Sequence, residues 1–369
     1  MRPDPRLTVS QWADQHRMLS SRASAEPGRY RTARTPYMRD IMDALSPTSP
    51  VQRVVFMKAA QVGATEAGCC FIGFVIHHAP GPMLCVQPTV EMAKRASRQR
   101  IDPLIEESPA IRERVKPARS RDAGNTMLSK DFPGGTLVLT GANSAVGLRS
   151  MPARYLFLDE VDAYPASADD EGDPVGLAEA RSLTFAHRRK VFLASTPTIR
   201  GMSRIEREYE ASDQRRFFVP CPHCGTMQWL KFERLRWDKG RPETVRYHCE
   251  ACEQEIAEHH KGAMLAAGVW RATATGTDPG TIGFHISALY RLSPAALVAG
   301  DEGAETAVAV LLDAVDATDG AATGLIAARG PVIVADAALA FDASVDQPAE
   351  RAAKITQLAN VGLVARLTV

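Results

Sequence analysis

Short apolar runs alternate with longer helical stretches along the chain from Val51 onward. The runs are VQRVVFM, PMLCVQP, TLVLT, YLFL and KVFLA, and such short apolar runs are typical of strands buried on both faces. The stretches EAGCCFIGFVIHHA and EMAKRASRQRIDPLIEES follow the first and second runs and are long enough for helices. This β-α-β-α order predicts an α/β fold with a parallel sheet and crossover helices.

The chain changes character on both sides of this region. Residues 1–50 are rich in Arg and Pro, and one amphipathic helix is predicted at 36–45 (PYMRDIMDAL). Beyond Leu292 the composition shifts, since 22 of the last 77 residues are alanine, and a helix is predicted at 348–359. We therefore predict four parts: a lead-in segment at 1–50, an α/β domain at 51–215, a region of short β ribbons around two cysteine pairs at 216–292, and a C-terminal segment at 293–369.

The charge of the chain is unevenly distributed. Residues 293–369 hold four Lys/Arg against ten Asp/Glu, net −6, so the overall charge of +1 leaves the first 292 residues at +7. A basic front part suits a polyanion such as double-stranded DNA, and the acidic tail does not. No apolar run approaches the ~18 residues that span a bilayer, and the N-terminus lacks the apolar stretch of a signal peptide. We expect a cytoplasmic protein without a membrane partner.

The segment Lys58-Ala-Ala-Gln-Val-Gly-Ala-Thr65 follows a predicted strand and opens a predicted helix. In that context backbone N–H groups and a helix N-terminus can cradle phosphate. Against the Walker A pattern G-x-x-x-x-G-K-[ST], Gly63 and Thr65 fit. The lysine position holds Ala64, and Lys58 stands at the first glycine position instead. A lysine at the start of the loop can still bring its ammonium to the β- and γ-phosphates of ATP. Thr65 is then the predicted Mg²⁺ ligand, and Gln61 joins the predicted nucleotide contacts.

This match alone is weak, because a strand-turn-helix with one Gly and one Lys often arises by chance. Two further strand ends strengthen it. The run from Tyr155 ends in Asp159 and Glu160, the Walker B arrangement, in which Asp159 holds Mg²⁺ through water and Glu160 polarises the attacking water. The KVFLA strand ends in Ser195 and Thr196, where a γ-phosphate sensor would lie. Adjacent carboxylates also occur in solvated turns, but three coincident strand-end motifs favour a P-loop NTPase.

A structural zinc site is predicted from two CxxC pairs that are separated by 24 residues. Four thiolates make a closed tetrahedral Zn²⁺ site, which replaces the hydrophobic core that so small a β unit lacks. His223 and His248 are alternative ligands, although each neighbours a cysteine. The predicted ligands are Cys221, Cys224, Cys249 and Cys252.

Together, the segments KAAQVGATE, LFLDEVD, LASTPT and CPHC…CEAC, preceded by GRYRTARTPYMRDIMDAL, resemble the large terminase subunit of lambda-like phages, the GpA family, from about Leu7 to Leu292. The resemblance implies a motor that acts as a homo-oligomer at the portal of an empty capsid and pumps double-stranded DNA inward with ATP. It also implies a small terminase subunit as partner, and a contact between the region around Tyr37 and the adenine ring. Simple packing of Tyr37 is the alternative.

The segment ANSAVGLR between two predicted strands ends in an arginine. Arg149, or Arg154 after it, can supply charge to the transition state as an arginine finger, and either can equally bind DNA phosphate or be solvated. The basic stretch from Lys94 to Arg121 is a candidate DNA-facing surface, with a solvated helix face as the alternative.

The resemblance to terminases breaks after the segment GFHISALY. A family member would continue into a nuclease domain of RNase H-like fold, whereas the segment from about 300 to 369 resembles the C-terminal part of a phage head decoration protein. That family forms trimeric caps on expanded capsids, which implies a small β-rich segment. We therefore expect ATPase without endonuclease activity, in a prophage gene fusion. The alternatives are an inactive structural remnant or capsid-associated protein, and a helicase-like DNA translocase, which should carry a second set of strand-end motifs.

Overall fold

The computed structural model describes residues 6–22, 24, 27–115, 125–238, 241–291, 332–335 and 363–366. The chain divides into two units, Met1–Lys231 with Lys261–Arg291 and Phe232–His260 with Leu292–Val369. The helix predicted at 348–359 lies outside the described residues. Among the residues that are described, no helix is long and apolar enough to cross a membrane.

All α-helices of the described residues belong to the first unit. They are α1 Val9–His16, α2 Met38–Ala44, α3 Ala64–His77, α4 Val90–Ala96, α5 Asp102–Glu107, α6 Pro109–Arg112, α7 Ala145–Leu148, α8 Pro174–Ala180, α9 Arg204–Glu210 and α10 Lys261–Ala266. A π-helical turn, Ser97–Ile101, joins α4 to α5.

The strands, in chain order, are β1 Met18–Leu19, β2 Gly28–Arg29, β3 Arg53–Lys58, β4 Met83–Gln87, β5 Ser129–Phe132, β6 Gly135–Gly141, β7 Tyr155–Asp159, β8 Lys190–Ser195, β9 Arg215–Pro220, β10 Met227–Trp229, β11 Leu235–Asp238, β12 Arg241–His248, β13 Glu255–Ile256, β14 Val269–Arg271, β15 Thr281–Ile286, β16 Val332–Ala335 and β17 Leu363–Arg366. In the second unit β11, β12 and β13 form an antiparallel sheet, and β16 pairs with β17 in parallel.

A ten-stranded, mostly parallel sheet forms the centre of the first unit. Its order is β10-β9-β15-β3-β8-β7-β4-β6-β5, and β14 also pairs with β9. The pairs from β9 to β6 along this order are parallel, whereas β10, β14 and β5 pair antiparallel with their neighbours. The predicted α/β class with a mainly parallel sheet is confirmed.

The central strands read as continuous apolar runs because both of their faces are covered. Every residue of β4, β7 and β8 is buried, as expected for parallel strands between helical layers. Helix α3 packs so closely on β7 that a Cβ atom added at Gly68 would lie 2.1 Å from the ring of Phe157. Glycine at this position therefore sets how near the helix that follows β3 can approach the sheet.

Two elements of the first unit go beyond the sequence prediction. Helix α1 lies in the predicted lead-in segment and packs on α3, with Trp12 fully buried; its N-terminus is closed by a capping box between Thr8 and Gln11. Strand β15 lies in the predicted ribbon region, yet it pairs in parallel with β3 over its whole length. The chain thus returns to the central sheet after the cysteine pairs.

Candidate functional site

Four neighbouring parallel strands end at one edge of the central sheet. In the order β3-β8-β7-β4, their last residues are Lys58, Ser195, Asp159 and Gln87. Parallel strands place their carboxyl ends together, and ligand sites of open α/β sheets lie outside those ends. The three strand-end motifs of the sequence therefore meet in one place, together with Gln87, which the sequence analysis did not single out.

Lys58 and Glu160 form an ion pair at this edge. The Lys58 ammonium lies 2.5 Å from Glu160 Oε1 and donates a hydrogen bond of 3.1 Å to Thr196 Oγ1. The lysine side chain is 6% exposed and that of Glu160 is 35% exposed. A buried ammonium requires such partners because its desolvation costs several kcal/mol. The pair joins residues that are 102 positions apart in sequence.

The position of Glu160 depends on its backbone conformation. Its φ of 54° lies in the left-handed region, which is uncommon for a residue with a Cβ atom. Its amide donates to Ala194 O at 2.7 Å, and its Oε2 accepts from Thr196 N at 3.3 Å and from Ser195 Oγ at 3.4 Å. These contacts turn the chain sharply after β7 and hold the carboxylate beside the end of β8.

Asp159 is 4% exposed and accepts hydrogen bonds through one oxygen only. Its Oδ2 accepts from Thr65 Oγ1 at 3.3 Å and from Gln87 Nε2 at 3.5 Å, whereas Oδ1 is buried without a hydrogen-bond partner among the described residues. Burial, reinforced by the Glu160 carboxylate, raises the pKa of Asp159 to about 6, against the opposing pull of Lys58.

The donor set around Asp159 fits a magnesium ion. Mg²⁺ prefers carboxylate, hydroxyl and water oxygens. The buried, unpartnered Oδ1 of Asp159 and the hydroxyl of Thr65 are oxygens of this kind, and a cation beside them would offset the burial that raises the Asp159 pKa.

The raised pKa of Asp159 predicts how the stability of the protein without nucleotide or metal depends on pH. Since the folded state holds the Asp159 proton more tightly than the unfolded chain does, the stability contributed by this group falls as pH rises from about 4 to about 6. We expect the free energy of unfolding of Asp159→Asn to be about 2–3 kcal/mol higher than that of the unsubstituted chain above pH 6. Below pH 4 we expect the two free energies of unfolding to be equal. Urea unfolding at several pH values measures this. A difference that does not vary with pH contradicts the expectation.

The loop between β3 and α3 contains two residues with positive φ. Gln61 has a φ of 58° and Gly63, the N-cap of α3, has a φ of 92°. Tyr37 lies beneath this loop, since its hydroxyl donates to Val62 O at 3.2 Å and the residue is 3% exposed. Its carbonyl accepts from Trp270 Nε1 at 2.9 Å. These two hydrogen bonds join Tyr37 to the loop and to Trp270 of β14.

Neither candidate arginine is among the residues that contact Lys58, Asp159 or Glu160. Arg149 is the C-cap of α7 and pairs with Glu171 at 2.5 Å, with its side chain 46% exposed. Arg154 immediately precedes β7 and stacks on the ring of Tyr155, 4.8 Å from its centroid. It therefore lies at the edge of the sheet opposite to Asp159.

Asp162, the last residue of the DEVD string, organises the segment after β8. Its Oδ2 accepts from the amide and the hydroxyl of Thr198, both at 3.0 Å, and its Oδ1 accepts from Ile205 N at 2.7 Å. No role was predicted for this carboxylate, although it follows Asp159 and Glu160 closely in the sequence. It fixes the segment from Thr198 to Ile205 that follows the end of β8.

The first cysteine pair lies in the turn between β9 and β10 of the first unit. Cys221 N donates to Thr226 O at 2.9 Å, Gly225 N donates to Cys221 O at 3.0 Å, and His223 N lies 3.4 Å from Cys221 Sγ. Gly225 has a φ of 74°, so a residue with a side chain would be strained there.

The second pair, between β12 and β13 of the second unit, repeats this turn. Cys249 N donates to Gln254 O at 3.0 Å, Glu253 N donates to Cys249 O at 3.2 Å, and Ala251 N lies 3.4 Å from Cys249 Sγ. Glu253 takes the positive φ, 58°, at the position equivalent to glycine in the first turn. In both turns an amide points at the first sulfur, which favours the thiolate form that binds metal.

Comparison with known proteins gives two family matches. Residues 24–270 match the phage terminase large subunit gpA, ATPase domain, which is about two thirds of the chain. Residues 249–363 match the bacteriophage lambda head decoration protein D. Both predicted resemblances are confirmed, and the second match begins at 249, earlier than the break at 293 that the composition indicates.

Two curated relatives are large terminase subunits. That of Enterobacteria phage P21 is 30% identical over 307 residues, which are 77% of this chain and 47% of that protein. That of Escherichia phage lambda is 28% identical over 312 residues, 78% of this chain and 48% of that protein. The chain thus spans about half the length of the curated relatives it matches.

Among solved structures, the large terminase ATPase domain of Thermus phage P74-26 is similar at 13% identity and a TM-score of 0.35, over 73% of this chain and 86% of that one. The family match rests on the sequence and covers the strands that meet at the candidate site. The chain belongs to the phage terminase large subunit gpA family, of which it carries the ATPase domain.

Proposed function

We propose that the first unit is a P-loop ATPase that hydrolyses ATP to drive the packaging of double-stranded DNA into a phage capsid. One observation carries the proposal: an ammonium from β3, a hydroxyl from α3 and two adjacent carboxylates at the end of β7 meet at the carboxyl edge of the parallel sheet. They are Lys58, Thr65, Asp159 and Glu160. Membership in the gpA family supports DNA packaging as the use of that hydrolysis.

The Lys58–Glu160 pair suggests how ATP engages the site. A γ-phosphate is a stronger partner for the ammonium than a single carboxylate, because it carries more charge and three acceptor oxygens. On binding, it takes Lys58 from Glu160, and the carboxylate becomes available to accept a proton from the attacking water. The 35% exposure of Glu160 leaves room for that water.

The other predicted contacts take secondary roles around the phosphates. Thr65 and Asp159 are the residues that would hold Mg²⁺, which would neutralise phosphate charge when bound. Ser195 and Thr196 already bond to Glu160 and Lys58, so they are suited to sense the γ-phosphate. The loop from Gln61 to Gly63, which precedes helix α3, would supply backbone amides to the phosphates.

The proposed roles of Tyr37 and Arg149 each require a change from the arrangement in this structure. Tyr37 positions the phosphate loop from below, and an adenine contact would require its buried ring to become accessible. Arg149 would serve as a finger after release from Glu171 and, because it contacts none of the site carboxylates of its own chain, would act on a neighbouring copy. That role fits a homo-oligomeric motor.

We further propose that the cysteine turns hold a structural Zn²⁺ as a zinc ribbon. The assignment follows from the two CxxC pairs of the sequence, since four thiolates are a closed ligand set for one ion with no open position for substrate. The matching amide-to-sulfur contacts in the two turns support this assignment.

The portal, the capsid and a small terminase subunit are the proposed partners, by analogy with the relatives that the chain matches over about half of their length. The match to a head decoration protein through residue 363 favours a capsid-associated role for the C-terminal segment. Because that match occupies the stretch after Leu292, we propose that this stretch supplies no endonuclease site, as a prophage gene fusion would explain.

ATP hydrolysis by the purified chain, with and without double-stranded DNA, tests the proposal. We expect DNA to stimulate hydrolysis and Lys58→Ala to abolish it, because the substitution removes the ammonium that binds the phosphates. Rates no higher than those of Lys58→Ala would instead favour the second candidate, a structural protein associated with the capsid.

A further inference from the structure

The π-helical turn Ser97–Ile101 separates two concave surfaces of the first unit. On one side is a cavity of about 200 Å³ that reaches Thr65 and Asp159 of the candidate ATP site. On the other side is an open cleft of about 560 Å³ beside the segment that contains Arg22. Gln99 and Arg100 line both of them. π-Helical turns inside α-helices frequently mark functional sites.

The cleft has the chemistry of a phosphate-binding surface. Its lining includes the guanidinium groups of Arg22, Arg98 and Arg100 and the hydroxyl groups of two serines, and none of the lining residues that the structure describes is acidic. Arg98 has no hydrogen-bond or ion-pair partner within the described part of the chain, whereas Arg22 pairs with the exposed Glu106. The stretch from Lys94 to Arg100 holds four cations and no acid. Such a surface attracts a polyanion.

Arg100 connects the cleft to the phosphate loop. Its Nη1 lies 3.0 Å from Glu66 Oε1, and the other oxygen of Glu66 lies 3.1 Å from Nη2 of the buried Arg17. Glu66 lies in the first turn of α3, next to Thr65. An anion in the cleft competes with Glu66 for Arg100 and thereby changes the wall of the cavity that contains Thr65 and Asp159.

We propose that the cleft binds backbone phosphates of double-stranded DNA, and that the Arg100–Glu66 ion pair transmits this binding to the ATP site. The proposal rests on the proposed function and extends it by naming a DNA contact and its link to hydrolysis. Arginine suits this task because its planar guanidinium binds phosphate through two parallel hydrogen bonds. Arg98 is the residue that is free to bind a DNA phosphate. Arg100 is the positioning residue, because its ion pair with Glu66 changes when the phosphate binds.

Two substitutions separate binding from transmission, with Arg207→Gln as a matched control on the exposed face of α9. For Arg98→Gln we expect weaker DNA binding, with the slope of log K against log salt reduced by about one. For Arg100→Gln we expect the ratio of the hydrolysis rate at saturating DNA to the rate without DNA to fall to about one. Arg207→Gln should behave as the unsubstituted chain does. Thermal unfolding verifies that each variant is folded.

The outcomes also distinguish this proposal from the proposed function. If DNA stimulates hydrolysis and both variants respond as the unsubstituted chain does, the cleft is not the DNA contact, although the ATPase assignment stands. If the chain does not hydrolyse ATP, the salt slope of Arg98→Gln still tests the cleft. If Arg98→Gln alters competition by inorganic phosphate but leaves DNA binding unchanged, the cleft is a site for small anions and the DNA assignment is overturned.

Discussion

Glu160→Gln is expected to lower ATP hydrolysis by about 10²–10⁴-fold, the range that a general base contributes, while ATP still binds. Glutamine keeps the size of the side chain and can still accept hydrogen bonds from Ser195 and Thr196, but it cannot take the proton of the attacking water. It also removes the negative charge that pairs with the Lys58 ammonium, which lies 2.5 Å from Glu160 Oε1. The ammonium is then available to bind the phosphates of ATP. Steady-state hydrolysis and equilibrium binding of ATP measure the two effects separately.

Glu91→Gln is the matched control for this substitution. It makes the same chemical change in the first turn of α4, where the side chain is 79% exposed, and should leave both quantities unchanged. If Glu160→Gln retains more than about a tenth of the activity, a loss below the range of general-base catalysis, then Glu160 is not the base.

Cys249→Ser is expected to abolish zinc binding and to unfold the turn between β12 and β13. The apparent binding free energy of structural Zn²⁺ is about 10–16 kcal/mol in zinc-finger peptides, and serine is a poor ligand for it. The antiparallel sheet of the second unit is short, and β11 and β13 have four and two residues, so hydrophobic burial contributes little to its stability. Zinc content and hydrogen exchange of the amides in β12 and β13 measure the effect.

A second cysteine provides the control for the zinc experiment. Cys85→Ala changes a buried thiol of β4 in the central sheet and should leave one zinc per chain. A purified chain that contains no zinc, or a Cys249→Ser variant that retains it with protected amides, would overturn the zinc ribbon.

The strands and helices of the α/β domain were predictable from sequence because each is marked by a pattern within a few consecutive residues. The apolar runs of β3, β4, β7 and β8 are continuous, since both faces are buried, and the polar residues that end β3, β7 and β8 stand out against them. Two cysteines at CxxC spacing likewise need only a tight turn to act together. Each of these features depends on a few consecutive residues.

The sequence by itself thus determined the fold class, the family and the strand ends at which chemistry was expected. Only the tertiary structure decided that Lys58 pairs with Glu160, that Gln87 supports Asp159, and that β15 returns to lie beside β3. The physical reason is that strand order and register bring together residues far apart in the chain, and no local pattern encodes those neighbours. Tyr37 shows the same limit, since its hydroxyl bonds to Val62 O in the loop between β3 and α3, a contact between residues 25 positions apart.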